Sequence, residues 1–244
     1  MVHNQTPYTR RRVITRGTAF GLTVTLGLWS RPAFSAEHQT KESGAKHKKE
    51  DEEVSPAEDL MREHGVLDRV LLVYEASLAR LADRDASPLP VVVKAADITH
   101  SFIEDYHEKL EEEFLFPRFE KAGQQLELVG TLRLQHQRGR ALTDEVRRLA
   151  QAGSGAATEN TSRLREAVQA FVRMYRPHAA REDTVLFPAF RKLVPEKQYA
   201  ELGEQFEDKE HALFGTRGFE GVVDQVAELE KALEIYDLNR FTPA

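Results

Sequence analysis

Two stretches of this chain, about seventy residues apart, carry the same side chains at the same spacing, and that repeat limits the fold more than any other feature of the sequence. His107-Glu108-Lys109-Leu110-Glu111 runs on into Phe114-Leu115-Phe116-Pro117-Arg118-Phe119, and His178-Ala179-Ala180-Arg181-Glu182 runs on into Val185-Leu186-Phe187-Pro188-Ala189-Phe190. Counted from each His, the Glu four later, the Phe nine later, the Pro ten later and the Phe twelve later coincide without a gap. On an α-helix, residues i and i+4 lie one turn apart on one face, about 6 Å along the axis, so each copy aims an imidazole and a carboxylate at one point. Two such helices face to face gather two His and two Glu among apolar residues. That burial is too costly unless something pairs with the carboxylates, and a metal ion is the obvious partner.

The rest of the chain supplies the helices. A first one is expected from Ser55-Pro56, an N-cap followed by a first-turn proline, to about Asp85-Ala86-Ser87-Pro88, with Leu60, Met61, His64, Leu67, Leu71, Tyr74, Leu78 and Leu81 along one stripe. The second, about Leu89 to Ala122, contains the first copy of the repeat and is closed by Gly123. The third, about Gln124 to Ala152, carries Leu128, Leu132, His136, Ala141, Val146 and Leu149, and a Gly153-to-Ala157 loop follows it. The fourth, about Glu159 to Leu193, carries the second copy, and Pro177 should kink it by deleting the bond to the Arg173 carbonyl. Two more are expected at about Glu196 to Phe214 and Phe219 to Tyr236. No strand signal appears, so the expected fold is all-α. Four long helices joined by short loops imply an up-down-up-down bundle, with the C-terminal helices as an extension.

His64 and His107 are 43 residues apart, and His136 and His178 are 42 apart. The repeating unit is therefore a helix hairpin with one His on its first helix and His-x3-Glu on its second, and the bundle is two such hairpins about an approximate two-fold. The core-facing set is His64, His107, Glu111, His136, His178 and Glu182. Imidazole with carboxylate suits iron, zinc or manganese. Two carboxylates near the pseudo-axis can each bridge two ions, so a dinuclear centre satisfies four His and two Glu better than a single ion does.

With these residues assembled, the chain resembles the hemerythrin-like, or HHE cation-binding, family. The resemblance rests on Glu63-His64, on His107-x3-Glu111 with Leu115-Phe116-Pro117, on His136, and on His178-x3-Glu182 with Leu186-Phe187-Pro188, and covers about Pro56 to Leu193. It implies a non-haem di-iron centre bridged by Glu111 and Glu182 inside a four-helix bundle, with chemistry directed at dioxygen, nitric oxide or peroxide. The oxygen-carrying members place a second His one turn after the third-helix His, and here that position is Arg140. A permanent cation does not ligate iron, so a metal position is left open or is filled by something else. Glu108 is one candidate for that extra ligand and an exposed, base-paired acid is the alternative; Arg140 itself is expected in a salt bridge to a nearby Glu. Ferritin-like di-iron bundles need Glu-x2-His on two helices, and only Glu104-x2-His107 fits, because Tyr175 stands where His178 would need its Glu.

The remaining histidines are expected elsewhere. His100, on the His107 face two turns earlier, is expected in a second layer or the core, and His211 on the surface. His38 and His47 fall in a charged stretch and take no role. Tyr74, Tyr106 and Tyr175 are expected to pack.

Cysteine is absent, which removes disulfides, thiolate metal sites and thiol nucleophiles. Residues 1–36 resemble a twin-arginine export signal: Arg10-Arg11-Arg12 precedes a weakly apolar run from Ala19 to Trp29, with cleavage after Ser35 or Ala36. An ordinary secretory signal is the alternative; the run is too short and too rich in Gly and Thr for a membrane span. Loss of the five arginines before Ala36 takes the formal charge from −6 to −11, which leaves no electrostatic footprint for nucleic acid and favours a soluble monomer. Residues 37–56 read as a disordered charged tether, 57–193 as the bundle and 194–244 as a helical extension.

The expectation is a periplasmic or extracellular di-iron protein, exported by the twin-arginine machinery, that binds, senses or reacts with a small diatomic or peroxide. An enzyme that consumes peroxide or oxidises ferrous ion, and a zinc-bound or metal-free interaction bundle, are the alternatives.

Overall fold

A computed structural model of the chain describes residues 54–243 apart from 84, 86 and 153–157. The expected export signal, most of the tether and the loop after the third helix lie outside those residues. Among the described residues every regular element is helical and no strand occurs, so the all-α class stands.

Helix α1 spans Pro56–Ala82, and Ser55 caps it by accepting a hydrogen bond from the Glu58 amide at 3.3 Å. Helix α2 runs over residues 89–122, but it is not α-helical throughout: Thr99–His107 and Glu111–Leu115 are π-helical, between α-helical Leu89–Ile98, Glu108–Leu110 and Phe116–Ala122. Gly123, at φ 65°, closes it in the left-handed conformation that glycine adopts without steric cost. Helix α3 is Leu126–Gln151 and starts two residues later than expected, because Gln125 takes φ 51°. Helix α4 runs over 158–193, as α-helical Thr158–Arg181, π-helical Glu182–Leu186 and α-helical Phe187–Leu193. Pro177 sits inside its first α-helical segment. Helices α5, Glu196–Phe214, and α6, Gly218–Ala232, follow, and α6 stops short of the expected Tyr236 because Glu234 turns to φ 57°.

The π turns over Glu111–Leu115 and Glu182–Leu186 occupy the same place in both copies of the repeat. Each is followed by Phe-Pro, and the proline has no N–H and crowds the carbonyl four residues before it. The chain relieves that crowding by widening one turn: the Phe116 amide bonds the Glu111 carbonyl and the Phe187 amide bonds the Glu182 carbonyl, five residues back. The repeated proline therefore explains why the backbone changes pitch at each core glutamate.

Helix α1 packs on α2, α2 on α3, α3 on α4 and α4 on α1, which closes a ring around a core that includes Leu67, Leu71, Phe102, Leu132, Val146 and Phe171. Helices α5 and α6 cover the outer side of α1 and α2. Phe206 packs on Phe114 and Phe214 on Tyr106, the Ala57 amide donates to the Tyr199 hydroxyl at 3.0 Å, and Arg69 holds the buried Glu230 carboxylate with bonds of 2.9 and 2.6 Å. The second helix is thus buried on two sides. No described helix is long and apolar enough to cross a membrane.

Candidate metal centre

The structure brings all six core-facing residues together. His64 comes from α1, His107 and Glu111 from α2, His136 from α3, and His178 and Glu182 from α4; none is more than 3% exposed. Glu111, His136, His178 and Glu182 each offer a ligating atom within 4.8 Å of the others, and His64, His107 and Glu111 do the same. Glu111 belongs to both groups: its Oε1 lies 3.8 Å from Nε2 of His107 and its Oε2 3.3 Å from Nε2 of His136. Glu182 Oε2 lies 3.0 Å from Nε2 of His178 and 3.4 Å from Nε2 of His64. The two carboxylates thus stand between two pairs of imidazoles.

The opposite ring nitrogens are all held from outside. Nδ1 of His64 donates to Asp183 at 2.7 Å, Nδ1 of His107 to Glu63 at 2.7 Å, Nδ1 of His136 to Glu112 at 3.1 Å and Nδ1 of His178 to Gln135 at 2.9 Å. Placing the proton on Nδ1 leaves an Nε2 lone pair for a ligand, the arrangement metal-binding histidines need. These four partners follow the same pseudo-symmetry. The residue before each hairpin's first His, Glu63 or Gln135, holds the second His of that hairpin. The residue after each core Glu, Glu112 or Asp183, holds the first His of the other hairpin.

The repeated phenylalanines follow it too. Phe187 stacks on His64 with ring centroids 5.3 Å apart, Phe116 stacks on His136 at 5.4 Å, and Phe119 and Phe190 meet each other at 6.4 Å. They fix the ring planes and keep water from the site. Sequence reasoning placed Phe116, Phe119, Phe187 and Phe190 in the repeat without giving them a task, and missed Glu112, Asp183 and Gln135. The signal available was adjacency, in Glu111-Glu112, Glu182-Asp183, Glu63-His64 and Gln135-His136.

Both oxygens of Glu111, both of Glu182 and Nε2 of His136 are buried without a hydrogen-bond partner. Burial and the neighbouring charge of Glu182 push the Glu111 carboxyl well above the usual carboxylate range. Burial opposes the charge of Glu182 as well, yet His178 and His64 hold it well below that range. Burial likewise opposes a charge on His64, but Asp183 and Glu182 push it up to about 9, while burial takes His136 down to about 4. Two buried carboxylates compete here for too little positive charge, and one or two cations between them resolve the conflict. The donor set of four Nε2 and four carboxylate oxygens fits such ions.

Glu108 stands on the outer side of His136, with Oε2 4.0 Å from Nδ1. It accepts from the Tyr175 hydroxyl at 2.6 Å and from Arg140 at 2.8 Å, and burial raises its pKa to about 8. Arg140 also donates to Glu112 at 2.8 Å, so the expected salt bridge is made twice. Tyr175 fits because the residue facing its hydroxyl is Gly139, where a Cβ would lie 1.9 Å from the oxygen. His100 departs from the expectation of a core or second-layer position: its side chain is 45% exposed and bonds Glu104 at 3.2 Å. His211 lies half-buried on α5. Tyr74, Tyr106 and Tyr175 are buried, as expected.

The model of the hemerythrin HHE cation-binding domain matches residues 55–190, more than half the chain, and matches a second time over 127–240. An uncharacterized protein of Mycobacterium tuberculosis strain H37Rv is 49% identical over 193 residues, covering 78% of this chain and 75% of the relative. Uncharacterized proteins of M. tuberculosis strain CDC 1551 and of Mycobacterium bovis match to the same extent. No solved structure matches the chain significantly.

Proposed function

The chain belongs to the hemerythrin HHE cation-binding domain family, and from that premise we propose that it holds a non-haem di-iron centre, within an up-down-up-down four-helix bundle, that binds, senses or reacts with dioxygen, nitric oxide or peroxide outside the cytoplasm. One observation carries this reading: four imidazole Nε2 atoms converge on two buried carboxylates whose four oxygens have no other partner.

In this reading His64 and His107 would hold one ion and His136 and His178 the other, with the carboxylates of Glu111 and Glu182 available to both. A di-iron pair supplies open coordination positions and one-electron redox chemistry for a small ligand. The protein's part is to prepare the pocket. Asp183, Glu63, Glu112 and Gln135 fix the tautomer of each ring, Phe116 and Phe187 fix the ring planes, and the surrounding Leu115, Leu186, Phe119 and Phe190 exclude water. Arg140 is a permanent cation held by Glu108 and Glu112, so α3 would offer a metal only His136. A buried pocket lined by these apolar side chains suits a small, uncharged ligand. Export by the twin-arginine route, which moves folded proteins, would let the metal be inserted before secretion.

Protein purified without affinity metals tests the reading. It should carry about two irons per chain and oxo-bridge charge-transfer bands in the near ultraviolet, and His107→Ala and Glu182→Ala should abolish both. A colourless wild type, with metal content no higher than in the variants, would overturn it.

A further inference from the structure

The two halves of the site have the same geometry but not the same chemistry. In the His64–His107 half both Nδ1 protons go to carboxylates, Asp183 and Glu63, each at 2.7 Å. In the His136–His178 half the bonds are longer and their acceptors poorer. His178 donates to the neutral amide oxygen of Gln135 at 2.9 Å. His136 donates to Glu112 at 3.1 Å, and that carboxylate is shared with Arg140 at 2.8 Å and Lys109 at 2.9 Å. A carboxylate on Nδ1–H draws the proton away from the ring and makes Nε2 a stronger donor to a metal, whereas a neutral amide oxygen does so less.

Resting on the dinuclear reading above, we propose that the two cation positions are inequivalent and that Glu63 and Gln135 set the difference. The His64–His107 position is the tighter one and favours the more highly charged ion. The His136–His178 position is weaker, fills second and is the first to be reduced. Glu63 and Gln135 are positioning residues that act through His107 and His178, at corresponding places in the two hairpins, so the chain carries its own internal comparison.

The test is a Co²⁺ titration of the chelator-stripped full chain by equilibrium dialysis with metal analysis. Wild type should bind two ions in two resolved steps. Gln135→Glu should tighten the second step, and Glu63→Gln should weaken the first, each by roughly 10–100-fold, so both variants merge the steps but with opposite changes in total affinity. The double variant Glu63→Gln/Gln135→Glu should separate the steps again, which a merely structural role for either residue does not predict. His178→Ala should retain one tightly bound ion, and His64→Ala one weakly bound ion. With iron, reductive titration followed by electron paramagnetic resonance should show a wider mixed-valent window in wild type than in either single variant. Two ions bound with equal affinity in wild type, or a second step unmoved in Gln135→Glu, overturns this inference and leaves the di-iron reading standing. A wild type that binds fewer than two ions overturns both.

Discussion

Replacing Glu111 and Glu182 together by Leu should make the cation-free protein more stable while it abolishes metal binding. In the native chain four buried carboxylate oxygens lack hydrogen-bond partners, and so does Nε2 of His136. The double substitution removes all four oxygens and orphans one further atom, Nε2 of His178, which loses its 3.0 Å neighbour. His64 and His107 keep each other when His64 is protonated, a state that Asp183 favours, because its Nε2 then donates to Nε2 of His107 at 3.0 Å. An orphaned buried polar atom costs about 1–3 kcal/mol, so a net relief of three comes to roughly 3 kcal/mol at the low end. That lies inside the range of about 1–4 kcal/mol gained when buried ionic clusters give way to apolar side chains of similar volume. With a urea dependence of about 1–3 kcal/mol per molar, the unfolding midpoint of chelator-treated protein should rise by about 1–3 M. Iron or Co²⁺ should raise the midpoint of wild type and leave that of the variant unchanged, because a ligand stabilises only the state that binds it. A double variant less stable than cation-free wild type would refute the reasoning, since it would mean the carboxylates are already satisfied by protein groups.

Three further outcomes are expected. Without a cation, the chain should lose stability as pH rises through 6.5 to 9. The His64 pKa in the folded chain stands at about 9 against an ordinary 6.5, so its contribution is complete below 6.5 and lost above 9, on the order of 3 kcal/mol; Glu111, also raised, adds to the loss. Urea midpoints of chelator-treated protein across that range check this, and a flat or rising profile contradicts it. Gly139→Ala should destabilise by about 1–3 kcal/mol, because its methyl meets the Tyr175 hydroxyl at 1.9 Å, whereas Gly130→Ala on the same helix, with open space around it, should stabilise by up to about 1 kcal/mol. Thermal melts of the two variants would contradict this if they moved together. Arg69→Ala leaves the Glu230 carboxylate, 6% exposed, without its guanidinium and should cost about 1–3 kcal/mol, with hydrogen exchange rising first in α6; an unchanged exchange pattern would remove this bond from the account of how α6 is anchored.

The sequence was legible where one local rule acted alone. Ser55, Pro56 and Gly123 mark helix ends by their backbone chemistry, and the extents of α1 and α2 follow them closely. His-x3-Glu is a statement about one face of one helix, and a second copy in the same register makes it a statement about two facing helices. What was not legible depends on how one helix meets the next. That Glu112 holds His136 across two hairpins, while Glu63 holds His107 within one, follows from the offset between helices. The π turns over Glu111–Leu115 and Glu182–Leu186 run directly into Phe116-Pro117 and Phe187-Pro188, where proline gave a visible hint, but the longer π stretch over Thr99–His107 contains no proline and we have no local explanation for it. The need for α5 and α6 was visible only indirectly, since Phe102, Tyr106 and Phe114 put apolar surface on a second side of α2 that something had to cover.

A crystal structure with diffraction recorded on both sides of the iron absorption edge tests the central claim most directly. Two anomalous peaks are predicted between Glu111 and Glu182, one within coordination distance of Nε2 of His64 and His107 and the other of Nε2 of His136 and His178. A single peak, peaks away from the two carboxylates, or an edge belonging to another metal would contradict the di-iron account.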